Sequence, residues 1–120
     1  MKRLMKSFGF AFRGIASAVK SETNMKIHLT ISFFVLVFGI VFSISTFEWI
    51  ACLLCMALVI GLEMVNTAIE SVVDLASPEK HPLAAKAKDV AAGAVLIAAI
   101  ISVVVGVIIF LPKLWVWFFG

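Results

Sequence analysis

GLEMVNTAIESVVD, residues 61–74, is the stretch around which the rest of the chain is read. Glu63, Asn66, Glu70 and Asp74 recur at i, i+3, i+7 and i+11. At roughly 100° per residue they share about 80° of a helix circumference. One stripe therefore carries three carboxylates and an amide, while Met64, Val65, Ala68, Ile69, Val72 and Val73 suit lipid or packed helices. Three like charges on one face repel one another unless a cation sits there.

The stripe closes a long apolar region. Residues 28–47 contain no Asp, Glu, Lys or Arg, and neither do 49–62 or 90–111. About 20 apolar residues cross a bilayer's hydrocarbon core. The chain is 63% hydrophobic and 14% charged, against about 25% charged for a soluble domain. The composition predicts an all-α integral membrane protein, one unit over 1–120. It has an amphipathic surface helix at 2–20 and spans near 28–45, 48–75 and 84–111.

Charge placement predicts the orientation. Six basic residues precede the first span, and Lys80, Lys86 and Lys88 lie between the second and third. Only Lys113 lies elsewhere. The positive-inside rule puts the amino terminus and the 76–88 loop in the cytoplasm and the carboxy terminus outside. A basic arm beside lipid is drawn to anionic headgroups, which argues against a nucleic-acid role. In 2–20, Leu4, Phe8, Phe12, Ile15 and Val19 fall on one side and Lys2, Lys6, Arg13 and Lys20 on the other, the pattern of an interfacial helix.

Residues 20–28 read as a connection, with His28 at headgroup level. Glu48 reads as a first-turn carboxylate favoured by the helix dipole. Cys52 and Cys55 form a CxxC, but mid-span and without a companion histidine they read as small apolar side chains. Ser77-Pro78 ends the second span, and Pro82 suits a helix's first turn. Ala91, Ala92, Gly93, Ala94, Ala98 and Ala99 permit close packing on a neighbouring helix. Three thin helices shield a polar stripe poorly, so a small symmetric homo-oligomer is expected.

The chemistry follows from depth. Counted from Glu48 at 1.5 Å per residue, Glu63 lies about 22 Å along its helix, still inside a core about 30 Å thick. Glu70 and Asp74 reach the cytoplasmic boundary. An intramembrane carboxylate is a functional candidate by default, whereas Asn66 alone serves equally well as interhelical glue. Glu22, which alone reads as an exposed carboxylate pairing Lys20 or Lys26, can with Glu70 supply oxygen ligands of the kind Mg²⁺ takes beside substrate phosphates. Lys88, with Lys80 or Lys86, neutralises phosphate. Glu63, deep and desolvated, suits a general base acting on a lipid hydroxyl. The combination reads as phosphoryl transfer from a soluble nucleotide to a membrane alcohol. No P-loop, dinucleotide fingerprint or soluble-kinase loop is present. A proton or ion transporter with Glu63 as relay is a second reading, and a structural accessory subunit a third.

ExxNTAIExxVD, then a short loop and AKDxAAGAVL, resembles the signature of the prokaryotic diacylglycerol kinase family, small membrane enzymes unrelated to soluble kinases. The resemblance spans nearly the whole chain. It implies a homotrimer using MgATP, with active sites shared between subunits. By position, Glu63 matches the family's base, Glu22 and Glu70 its metal-binding carboxylates, and Asn66 an active-site asparagine; Asp74 supports them on the same stripe. Lys88 and Asp89 match a nucleotide-contacting pair, and Glu79, Lys80 and His81 a loop beside the nucleotide. Arg3 and Phe10 match amino-terminal binding positions, although Phe10 stands where an enteric member has tyrosine. ETNMKIHL and PEKHPLAAKAKD look more like the Gram-positive branch, similar to undecaprenol kinases; the enteric branch phosphorylates diacylglycerol. Both substrates present an interfacial hydroxyl, so Glu63, Glu70 and Lys88 do not separate them.

Overall fold

The computed structural model describes residues 1–120 and consists of four helices: α1 (Lys2–Ser21), α2 (Thr23–Val41), α3 (Thr46–Ala76) and α4 (Pro82–Phe119). Helices α2, α3 and α4 are each long and apolar enough to cross a membrane. Only 12 of the 120 residues are buried. The outward surface is therefore apolar, as a multi-pass membrane protein requires when lipid replaces water as solvent.

The connections are shorter than the sequence suggests. Helix α2 starts at Thr23 rather than His28, because Glu22 alone makes the break. Its extended backbone (φ −108°, ψ 117°) ends α1 and caps α2. No proline or glycine lies in 23–28 to delay the new helix. Helix α3 starts at Thr46 rather than Glu48, because Ser45 and Glu48 form a capping box. The Ser45 hydroxyl accepts from the Glu48 amide at 3.2 Å, and the Glu48 carboxylate accepts from the Ser45 amide at 2.9 Å. This is the S-x-x-E pattern that satisfies two orphan donors of a first turn.

Helix α4 begins at Pro82, with His81 as its N-cap: the imidazole Nδ1 accepts from the Leu83 amide at 3.1 Å. It continues through Pro112 to Phe119, well beyond residue 111. A proline ring removes one helical hydrogen bond but fixes a near-helical φ. Aromatic docking holds the last turns in place, with Phe42 edge-on to Phe110 at 6.4 Å and to Trp117 at 5.9 Å.

Helix α3 runs antiparallel to both neighbours and packs most extensively on α4. On α4, Ala91, Val95 and Ala98 are buried at helical spacing. Their small side chains allow the close approach, while Ala92 stays exposed. Between α2 and α3, a Cβ on Gly39 would lie 2.6 Å from the Trp49 ring, so only glycine lets the indole lie flat on α2. A small core of Ile44, Cys52 and Ile109 closes that end. Both cysteines are free, with Cys52 buried and Cys55 half-buried.

On α1, Leu4, Phe8, Phe12 and Ile15 are all exposed. The amphipathic helix turns its apolar stripe away from the protein.

Candidate active site

The antiparallel packing brings the α1–α2 junction, the carboxylate stripe and the α3–α4 loop to one end of the bundle. Glu63 lies 17 residues beyond Thr46, about 26 Å along α3. It is 2% exposed, and Asn66 is 7% exposed. A single chain thus already encloses the deep part of the stripe, contrary to the expectation that enclosure needs a second subunit. Helices α1, α2 and α4 all pack on α3 and together cover it.

Polar groups along the stripe are only partly paired. Asn66 donates its amide N–H to Glu70 Oε1 at 3.2 Å. Its carbonyl Oδ1 is buried with no partner. A buried acceptor without a donor carries a desolvation penalty of about 1–3 kcal/mol, and such a group marks a place where a ligand completes the set. The Glu63 carbonyl accepts from the Thr67 hydroxyl at 3.0 Å.

His28 makes a contact that the sequence reading leaves out. With α2 starting at Thr23, it lies inside the helix and not at its mouth. Its Nε2 is 3.6 Å from Glu63 Oε2, and its side chain is only 18% exposed. No local pattern announces this contact.

Two cavities flank the stripe. A cleft of about 540 Å³ opens at the α3–α4 loop, lined by Asp74, Glu79, Lys80, His81 and Lys88 among others. On its wall Lys88 pairs with Asp74 at 2.5 Å, both side chains well exposed. An apolar cavity of about 260 Å³ runs between α2, α3 and α4, with His28, Val35, Cys55, Val59 and Phe110 in its lining. Glu63 lines neither; His28 links it to the apolar cavity, and Asp74 carries the same stripe into the charged cleft.

Other selected residues are not gathered here. Arg3 and Phe10 stay exposed on α1, where the Arg13 guanidinium lies over the Phe10 ring at 4.7 Å. Asp89 is exposed and does not line the cleft. No three His, Cys, Asp or Glu side chains converge as a self-contained metal site. Glu22 and Glu70 are oxygen donors of the kind a hard cation takes when phosphate and water complete its shell.

The family profile described as prokaryotic diacylglycerol kinase matches residues 9–110. The chain belongs to the prokaryotic diacylglycerol kinase family. It is accordingly a lipid kinase, transferring a phosphoryl group from ATP to a lipid alcohol. An undecaprenol kinase of Bacillus subtilis is 44% identical over 114 residues, covering 95% of this chain and 93% of the relative. A diacylglycerol kinase of Synechocystis is 40% identical over 112 residues, 92% of this chain and 64% of the relative. The diacylglycerol kinase of Escherichia coli is 29% identical over 102 residues, 85% of this chain and 84% of the relative. Within this prokaryotic diacylglycerol kinase fold, the matched span runs from α1 into α4 and takes in every element that lines the site.

Proposed function

We propose that this chain phosphorylates undecaprenol, using MgATP, in a bacterial plasma membrane. One observation carries the mechanism: Glu63, 2% exposed, is 3.6 Å from His28, which lines the apolar cavity, and shares its helix stripe with Asp74 of the charged cleft. A soluble donor reaches such a carboxylate from one side and a lipid from the other.

Glu63 takes the proton of the lipid hydroxyl as its oxygen forms a bond to the γ-phosphorus. The bond from that phosphorus to the β,γ-bridging oxygen breaks, and ADP leaves. Positioning and charge neutralisation supply most of the rate in such transfers. Glu22 and Glu70 would hold Mg²⁺, which when bound neutralises charge on the nucleotide phosphates. Asn66 orients Glu70 through its amide, leaving Oδ1 to accept from a ligand hydroxyl or water. Lys88 exchanges Asp74 for phosphate, an exchange its solvent-exposed pairing makes easy. Lys80, Glu79 and His81, which line the cleft, flank the nucleotide.

Arg3 and Phe10, exposed on α1, are available to a neighbouring subunit's site. That supports the homotrimer with shared sites, even though Glu63 is enclosed within its own chain. The basic end of the bundle faces the cytoplasm on this reading, and the carboxy terminus faces outward.

The undecaprenol assignment rests on likeness to the Bacillus subtilis enzyme. Likeness to the Synechocystis enzyme supports a second reading, diacylglycerol as acceptor. Purified protein in mixed micelles, given MgATP and both alcohols in competition, separates the two. Undecaprenol is expected to be phosphorylated preferentially. Preference for diacylglycerol would keep the mechanism and replace the substrate.

A further inference from the structure

We infer that His28, which lines the apolar cavity, is a positioning residue for Glu63, holding the buried carboxylate beside that cavity, where the acceptor hydroxyl arrives. This rests on the reading of Glu63 as the group that takes the hydroxyl proton.

Three observations converge. His28 Nε2 approaches Glu63 Oε2 to 3.6 Å from the opposite helix. It is the one side chain paired with Glu63. The same imidazole also lines the apolar cavity beside Ile31, Ser32 and Val59. Its ring therefore touches the carboxylate on one side and the apolar space on the other.

The separation is just beyond hydrogen-bond length. Contacts of this kind tighten when substrate completes the site. A ring N–H directed at one oxygen leaves the other oxygen turned toward the incoming hydroxyl. Misplacing a reacting group by about 1 Å costs on the order of 100-fold in rate.

The test compares His28→Leu, His28→Gln, Glu63→Gln and the double variant His28→Leu/Glu63→Gln in the full-length protein. His28→Leu should lower kcat by about 10- to 100-fold and leave the KM for MgATP unchanged, because the nucleotide cleft is elsewhere. His28→Gln, which keeps a donor at similar reach, should recover most of kcat. The double variant should lose no more than Glu63→Gln alone, as expected for groups acting as one unit. Wild-type kcat in His28→Leu, with Glu63→Gln inactive, would sink the inference and leave the Glu63 assignment standing. Turnover surviving in Glu63→Gln would remove that assignment and this inference with it. Should His28→Leu fail to fold, His28→Gln decides: a folded Gln variant with less than a hundredth of wild-type kcat overturns the donor role, and near-normal kcat supports it.

Discussion

The two ends of α3 use similar residues for opposite ends. At one end Glu48 accepts from the Ser45 amide and from Lys113 Nζ at 2.7 Å, and Lys113 also donates to the Ile109 carbonyl at 3.2 Å. These groups answer one another within the fold. At the other end His28 stands 3.6 Å from Glu63, and Asn66 keeps a buried oxygen with no donor. Both ends place a carboxylate opposite a basic residue on a neighbouring helix. Where the polar groups complete each other, they build the bundle. Where they are left incomplete, something else must arrive.

The largest effect that could break this contrast is in Glu63→Gln. Loss of a general base typically costs 10²- to 10⁴-fold, so lipid phosphorylation should fall by about that factor while the protein stays folded in detergent. Full turnover in this variant would make the incomplete end as architectural as the other. Glu70→Gln sharpens the contrast at intermediate size. Its turnover should need at least about 10-fold more Mg²⁺ for half-saturation, in line with losses on disturbing a metal's ligand environment. A Mg²⁺ titration superimposable on that of the wild type would take Glu70 out of the metal site. The smallest effect is expected at the completed end. Glu48→Gln should leave turnover at the wild-type level and lower the melting temperature slightly, since the capping box survives with Gln while the charge pairing with Lys113 is lost. A clear loss of activity there would mean that the distant end also communicates with the chemistry.

Much of this arrangement is legible in the sequence because it is periodic. Uncharged stretches of membrane-spanning length announce α2 and α4, a shorter one at 49–62 leads α3 into the stripe, and the 3.6-residue repeat puts Glu63, Asn66 and Glu70 on one face. The joints are less legible. A break made by one extended residue, Glu22, leaves no proline or glycine to mark it. The path through Pro112 depends on Phe42 and Trp117 meeting across two helices. The S-x-x-E at Ser45 is a local signal, and it carries the true start of α3. The His28–Glu63 contact is different in kind. It depends on how far α2 is shifted along α3, and no pattern within either helix encodes that shift. The empty valence on Asn66 is equally invisible, because it requires knowing that Glu70 has taken the amide.

Two ion pairs join α3 to α4, Asp74 with Lys88 and Glu48 with Lys113. Their anchor points are 26 residues apart on α3 and 25 apart on α4. The two helices are thus pegged firmly at the Glu48–Lys113 end and, while no phosphate takes Lys88, more loosely at the other, like the stiles of a ladder. Sliding one along the other by a single turn, about 5.4 Å, would undo both pegs together. When the surrounding bilayer thins or thickens, this pair of helices is left to lean as one rigid plank, and the depth of Glu63 below the headgroups then follows the angle of lean.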